Sequence, residues 1–269
     1  MAPSAVERTG LFGMLRALVR QSAAAELQYP ANFFASAFGA LFWLAMAVLT
    51  VGVFYSHTDH LGGWTFWETV VLLGVFNALV GLIEGVLRPG IGQLPELIRR
   101  STLDLMLVRP IDAQLYVTFH SVDLWRIADV VLGFGLSWYG LHRLGRTLDP
   151  LEIAEFAITF SSSVAVLYSL WVCLMCSAFW FVAVENIPTV FDALFEAARY
   201  PAPAYPRALR IVFVYLLPVV WSTTIPASAL TGRLERWHWL GSLFVAGIAL
   251  VVSRLVWRAA LRRYTSAGG

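Results

Sequence analysis

Two cysteines and five histidines are the residues of this chain best suited to metal or redox chemistry. Cys173 and Cys176 form a C-x-x-C pair, a spacing that in a soluble protein indicates a redox motif or half of a zinc site. Two cysteines supply only half of a tetrahedral zinc shell, and these two lie in an apolar run, where free cysteine packs as a small hydrophobe. His57 and His60 are a second pair with zinc-binding chemistry, but no further ligand is near them in the sequence. We therefore expect no metal site.

Catalysis by this chain alone is also not expected. The histidines are scattered, at His57, His60, His120, His142 and His238. No serine–histidine pair and no paired carboxylates stand out in the sequence, so no catalytic residue is predicted. All 19 basic residues are arginine. Because a Walker-type P-loop and a Schiff base both require lysine, the chain is not expected to hydrolyse ATP by itself.

Polar residues inside apolar segments are more informative, because polar groups within a bilayer rarely face lipid. Asn77 and Glu84 are seven residues apart and therefore lie on one side of a helix. They are predicted to line a translocation path. Both have local alternatives: Glu84 can pair with Arg88 four residues later, and Asn77 can hydrogen-bond to a neighbouring helix.

A series of charged residues follows at a spacing of three. Asp123, Arg126 and Asp129 are placed so that the arginine reaches both acids along one helical face. The series is interpreted either as a switchable charge network near a cytoplasmic gate or as a static triad that stabilises the helix. The sequence leaves both interpretations open.

Composition places these residues in a membrane protein. Hydrophobic residues make up 59% of the chain and charged residues 13%, whereas soluble domains are about one quarter charged. Apolar runs of about 20 residues are long enough to cross a bilayer as helices. We predict an all-α polytopic protein with residues 1–269 in a single transmembrane domain of six spans. Five spans are placed at 31–55, 64–87, 130–141, 153–184 and 237–257.

The remaining crossing, fifth in order, has two candidates. Residues 187–200 are amphipathic, whereas residues 211–229 are apolar but interrupted by Pro218 and Pro226. Hydropathy alone favours 211–229. Proline breaks at membrane depth are tolerated where protein covers the freed backbone groups, so residues 201–230 can instead form a re-entrant helical hairpin.

Arginines predict the orientation of the chain. Residues 1–29 combine an apolar stripe with arginines, which indicates an amphipathic helix at the cytoplasmic interface. Arg258, Arg262 and Arg263 follow the last span directly. Cationic loops stay on the cytoplasmic side of a membrane, so both termini are expected in the cytoplasm.

The segment between the second and third spans, residues 88–112, is called the connection below. Pro89 and Gly90 end the preceding helix, and Pro95 favours the start of a short helix over 94–100. Residues 101–104 have the serine-or-threonine and acid pattern of a second helix cap. The connection also carries arginines, so we expect a short cytoplasmic helix parallel to the membrane and placed to contact a soluble partner.

Three motifs, in this order, resemble permease subunits of the type-2 ABC transporter family, especially a six-span bacterial subfamily. They are residues 98–104 with 107–110, Pro218 with 225–227, and the closing residues 260–268. Ser101 departs from the pattern, because the subfamily usually has glycine there. Serine resists a positive φ, so the turn at this position is expected to differ.

The resemblance implies a permease of an ABC exporter in the bacterial cytoplasmic membrane. Two permease subunits, identical or sister, would meet in the lipid bilayer, each resting on an ATPase subunit that holds ATP and Mg. No cofactor in this chain and no nucleic-acid partner are expected. The fifth crossing would be 187–200, followed by a re-entrant 201–230. The alternative is a stand-alone intramembrane enzyme, a channel or a scaffold.

The resemblance also assigns coupling roles within the connection. One group would insert apolar side chains into a cleft on the ATPase: Leu94, Leu97 and Ile98. A second group would fix the register by charge pairing, together with Arg109 further along: Glu96, Arg99 and Arg100. A third group would hold the shape of the loop: Thr102 and Asp104.

Overall fold

The computed structural model describes residues 30–109, 111–181, 187–235 and 237–264, and this part of the chain is helical and without named strands. Its helices are α1 Pro30–Tyr55, α2 Phe66–Leu82, α3 Leu94–Arg99, α4 Leu103–Leu107, α5 Ala113–Phe119, α6 Ile127–Arg143, α7 Pro150–Cys176, α8 Ile187–Glu196, α9 Arg207–Ile211, α10 Val219–Thr231 and α11 His238–Leu261. Wider π-turns extend α2 over Ile83–Leu87 and α9 over Val212–Leu216. The predicted interfacial helix at 1–29 lies outside the described residues.

Four helical segments are long and apolar enough to cross a membrane: Ala37–Tyr55, Phe66–Leu87, Pro150–Phe179 and His238–Leu261. The pair Arg207–Val214 and Val219–Thr231, bent by 87°, makes a fifth if it is taken as one broken span. The prediction of an all-helical polytopic membrane protein is confirmed at this level. Length and composition support four or five spans, fewer than the six predicted. Helix α6, with 17 residues, is shorter than the typical span of about 20.

Helices α2 and α6 form the most closely packed pair, and small residues make this possible. A methyl group added at Gly133 would lie 2.6 Å from the carbonyl oxygen of Gly74, so the two backbones are in direct contact. The hydroxyl of Ser137 donates to the carbonyl oxygen of Val71 at 3.0 Å across the same seam. Lipid gives apolar side chains no reason to associate, so close backbone packing and inter-helix hydrogen bonds hold such pairs together.

The bundle has two ends, which we name by their connections. The loop end carries residues 88–112, and the far end carries the turns 56–65 and 144–149. Helix α7 runs between the ends and packs against α10 and α11. Helices α1 and α11 turn large apolar side chains outward, as lipid-facing helices do, among them Phe38, Trp43, Phe244 and Val251.

Helix α8 and the turn Ala197–Arg199 run from the loop end towards the far end. Near the loop end, Asp192 is paired with Arg88 at 2.5 Å. The preceding residue, Phe191, meets Trp171 of α7 edge-on with ring centroids 4.5 Å apart. Beyond the turn, Tyr200 packs against Phe54 at the far end of α1, with centroids 5.7 Å apart.

The proline-rich segment after α8 starts and finishes beside the same turn at the far end. At its start, the backbone nitrogen of Ala204 is so close to Gly62 that a Cβ there would lie 2.5 Å away. At its finish, Arg233 donates to the carbonyl oxygen of Gly63 at 2.9 Å. Between them, α10 is buried against α2 and α7. Its hydroxyls bond to nearby carbonyls, such as Thr223 to Ala198 at 2.6 Å.

Candidate coupling surface and charge network

The connection folds as two short helices joined by a strained turn. Helix α3 ends in a Schellman motif, in which Thr102 N–H donates to Leu97 at 3.0 Å and Ser101 N–H donates to Ile98 at 3.1 Å. This motif requires a left-handed residue between the helices, and Ser101 supplies it with φ 54°. Apart from glycines, no other described residue has a positive φ.

The prediction that residues 101–104 cap a second helix through a serine or threonine side chain is wrong in its mechanism. Ser101 ends α3 instead of capping α4. The hydroxyl of Thr102 reaches back to the carbonyl oxygen of Leu97 at 3.4 Å and makes no capping bond to α4. Thr102 therefore contacts the end of α3, and its predicted role in the shape of the loop stays a prediction. Asp104 is the acid in the first turn of α4, where a negative charge is favourable.

The apolar residues predicted to enter a partner instead pack on this chain. Leu94 is fully buried in the core, and Leu97 and Ile98 are half-buried against it. Burial of Leu94 arises because α3 lies against α7 and the turn that follows α7. A partner therefore cannot be contacted through Leu94 in this conformation.

Two other apolar residues of the connection face outward, and the sequence reasoning missed them. Leu105 is 74% exposed and Val108 is 85% exposed, three residues apart on one face of α4. Leu103 on the opposite face is fully buried, with Met106 and Leu107 half-buried beside it. The sequence did indicate that some of these apolar residues would be exposed, because an apolar run in a five-residue helix cannot bury all the faces of that helix.

Glu96 is held between two arginines on the exposed side of α3. Arg99 donates to its carboxylate at 2.8 Å, and Arg100 forms a second, shorter contact. The Arg100 hydrogen bond, supported by that of Arg99, holds the pKa of Glu96 below its ordinary value. With two arginines for one acid, the surface keeps a net positive charge. Further along, the guanidinium of Arg109 lies over the ring of Tyr116, 4.8 Å from its centroid.

The connection is bound to the last span by an ion pair across the loop end. Arg254 of α11 donates to Asp112 at 2.9 Å, with a second contact that makes the pair bidentate, and to Gln114 at 3.0 Å. The Arg254 hydrogen bond lowers the pKa of Asp112. Gln114 in turn donates to Tyr168 of α7 at 3.0 Å. Arg254 is thus a structural link between α11, the connection and α7.

The closing residues meet the connection as well. Tyr264 packs edge-on against Phe179 with centroids 5.9 Å apart. Burial raises the pKa of the Tyr264 phenol, and its hydrogen bond with the Asp104 carboxylate raises it further. Two of the three motifs that carried the family resemblance are therefore in contact, although residues 265–268 lie outside the described part.

The predicted gate charges and Glu84 form one network at the loop end. Arg126 lies 3.3 Å from Asp129, 3.6 Å from Glu84 and 4.0 Å from Asp123. Glu84 also pairs with Arg88 at 2.8 Å, as its local alternative predicted. Arg88 extends the network to Asp192 of α8, a member that the sequence analysis did not single out because the partners are 104 residues apart.

Asp123 departs from the predicted geometry. It precedes the helical segment and caps the turn Leu124–Arg126 by accepting from Trp125 N–H at 3.0 Å. The expectation that all three charges lie on one helical face is therefore wrong for Asp123, although Arg126 still reaches both acids.

Asn77 bonds across the α2–α6 seam. Its amide donates to the backbone carbonyl oxygen of Asp129 at 2.7 Å, which is the inter-helix hydrogen bond named as its alternative role. The contact ties the seam to the charge network, because Asp129 supplies its carbonyl to Asn77 and its carboxylate to Arg126. A role for Asn77 or Glu84 in a translocation path stays a prediction.

Among the described residues, no group of three histidine, cysteine or acidic side chains is placed to hold a metal ion. Cys173 is half-buried and Cys176 buried, both as free thiols in α7. His57 lies beside its own helix end, with Nδ1 3.0 Å from the carbonyl oxygen of Val53.

A family profile described as ABC-2 family transporter protein matches residues 41–268. The chain belongs to this family. Comparisons with curated proteins and with solved structures gave no match. Members of the ABC-2 family are membrane components of transporters and work with ATPase subunits. The predicted permease family is thereby confirmed, and the chain is an integral membrane protein.

Proposed function

We propose that this ABC-2 family chain is the permease subunit of an ATP-driven exporter and that its ATPase partner binds the connection. The observation that carries the proposal is the outward face of α3 and α4. Exposed Leu105 and Val108 lie on a segment that also exposes Arg99 and Arg100. Apolar contact beside complementary charge is the usual composition of a specific protein interface.

The contacts of the connection support a role in transmitting force. Its start continues from α2 through Glu84 and Arg88, and its end is bonded to α11 through Asp112 and Arg254. A push on α3 and α4 therefore reaches several membrane helices at once. Such a device needs two discrete packings, and we assign the exchange of partners to Arg126, which is shared among three acids.

In the proposed topology the chain crosses the membrane six times, through α1, α2, α6, α7, α8 with its following turn, and α11. Residues 201–230 form a re-entrant hairpin that enters from the far end. This assignment is supported by the Gly62–Gly63 turn, which is contacted by Ala204 near the start of the segment and by Arg233 just beyond its end. The loop end carries Arg99, Arg100 and the arginines after α11, so it is assigned to the cytoplasm together with both termini.

Two permeases, identical or sister, complete the proposed transporter in the bacterial cell membrane, with ATP and Mg held by the ATPase subunits. The outward apolar faces of α1 and α11 are available for lipid or for the second permease.

The test is purification of the tagged chain from its native membrane with its ATPase partner. We expect the paired substitution Leu105→Glu and Val108→Glu to abolish co-purified ATPase activity, because it places charge in the apolar centre of the interface. The control His60→Glu adds charge at an exposed position of the far-end turn and should retain the partner. Undiminished ATPase with the doubly substituted, folded chain would remove the assignment of this surface.

A further inference from the structure

A groove of about 490 Å³ opens at the far end, between the first turns of α7 and α11. It is lined by Leu151, Ala154, Glu155, Ile158, Trp237 and Trp239. Every lining residue except Glu155 is apolar or aromatic. The groove lies on the outward side of two membrane-crossing helices, so it faces lipid and not the interior of the bundle.

Glu155 differs from the other acids of the membrane helices. Glu68 pairs with Arg233, Glu84 with Arg88, and Glu152 with Arg146. Within residues 30–109, 111–181, 187–235 and 237–264, the half-buried Glu155 carboxylate has no ion pair and no hydrogen bond. A carboxylate in apolar surroundings is costly unless a cation compensates it, and no described residue of the chain supplies that cation.

The two tryptophans supply the second half of a cation site. Trp237 is 78% exposed and Trp239 is half-exposed, and both line the same groove as Glu155. The face of an indole ring attracts cations, most strongly an ammonium group that has lost part of its water. A groove lined by a carboxylate and two indole rings therefore has the chemistry to receive an organic ammonium group. A free phosphate or sulfate ion, which brings no cation with it, would be repelled.

We propose that this groove binds the ammonium headgroup of a membrane lipid, with Glu155 pairing with the ammonium and the tryptophans covering it. The apolar lining favours a lipid over a free amine, because Ile158 lies about one turn deeper along α7 than Glu155, on the side towards which acyl chains would extend. The site is at the opposite end from the proposed ATPase surface. The inference does not depend on the exporter assignment.

Native mass spectrometry of the purified full-length chain tests the site. Phosphatidylethanolamine and phosphatidylglycerol with identical acyl chains are the probes. We expect Glu155→Gln to weaken binding of phosphatidylethanolamine about threefold or more, with binding of phosphatidylglycerol unchanged or stronger. Trp237→Leu, at an exposed position, should also weaken it, which guards against a folding defect in the first variant.

The matched control is Glu235→Gln, which removes a carboxylate that is exposed at the same end and lies outside the groove. It should bind both lipids like the wild type. Equal binding of phosphatidylethanolamine by wild type and Glu155→Gln would overturn the proposal. Displacement of the lipid by soluble ethanolamine at equal concentration would overturn the lipid as occupant. ATPase activity is not measured, so these outcomes leave the proposed function untouched.

Discussion

The two ends of the bundle use their arginines differently. At the far end, Arg233 binds Glu68 through two hydrogen bonds of 2.7 and 2.9 Å, and Arg146 binds Glu152 at 2.5 Å. Each of these arginines also donates to a backbone carbonyl, at 2.9 and 2.8 Å. At the loop end, Arg126 is spread over three acids at 3.3 to 4.0 Å. The far end has short pairs with single acids. The loop end has short pairs too, such as Arg88 with Asp192, but it also has one arginine, Arg126, that is shared among three acids at longer distances.

This difference indicates which end can rearrange. A short bidentate ion pair has a single geometry, and breaking that geometry loses most of the interaction energy. An arginine shared among several acids can strengthen one contact as it loosens another, so the total energy of its ion pairs changes little. Both far-end arginines also hold the end of α10, since Arg146 donates to Thr231 and packs on Gly232. We infer that the far end stays fixed while the Arg126 network of the loop end rearranges.

The largest expected effect concerns the close-packed seam of α2 and α6, the helices that join the two ends. Gly133→Ala should destabilise the protein by about 2 kcal/mol or more, because the added methyl overlaps backbone atoms of α2 and overpacking is costly. The measurement is the thermal unfolding midpoint of the detergent-purified chain. Gly135→Ala is the control on the same helix, with no atom within 4 Å of the added methyl. Equal midpoints for the two variants would show that the seam is not close-packed.

Removal of one acid at each end tests the comparison directly. Glu68→Gln should cost about 1–2 kcal/mol, because the bidentate pair with Arg233 loses its charge at Glu68, whose side chain is only 12% exposed. Asp123→Asn should cost less than about 0.5 kcal/mol, because Arg126 keeps two acids and asparagine can still cap the turn. Unfolding midpoints of both variants, measured at one salt concentration, give the order. The reverse order would contradict a fixed far end.

How far the sequence predicts the structure depends on the range of each interaction. The spans of α1, α2, α7 and α11 follow from the length of apolar runs, and the pairing of Glu84 with Arg88 follows from helical spacing. The pairs of Asp112 with Arg254 and of Arg88 with Asp192 join residues more than 100 positions apart. No local pattern encodes them, because they depend on which helices become neighbours.

The coupling residues show the same limit. A short helix was predicted in the connection, but its buried face was assigned to a partner. Leu94 is buried because α7 lies beside it, and only the tertiary structure reveals this neighbour. The expectation that Ser101 would avoid a positive φ is wrong, because Ser101 adopts the left-handed conformation, φ 54°, that the end of α3 requires.

The link between the connection and α11 should be sensitive to acid. Because Arg254 lowers the pKa of Asp112 in the folded state, its stabilisation is fully present above the unfolded value of about 3.9 and is lost as the pH falls through the lower folded value. Asp112→Asn should remove roughly 1 kcal/mol at neutral pH, since both side chains are partly exposed. The difference in unfolding midpoint between wild type and variant, followed from pH 7 to about pH 3, should shrink towards zero. A constant difference would exclude the ion pair as its source.

The smallest expected effect concerns the turn between α3 and α4. A non-glycine residue at left-handed φ costs about 1 kcal/mol, and glycine removes that strain but is less ordered when unfolded. Ser101→Gly should therefore raise the free energy of unfolding by about 0.5 kcal/mol. Ser101→Ala keeps the strain and removes only the hydroxyl, so it should not stabilise. If both variants stabilise equally, the hydroxyl and not the backbone is responsible. If only glycine does, the loop end carries local strain that the far end, with glycine at its left-handed positions 62, 63, 145 and 232, does not have.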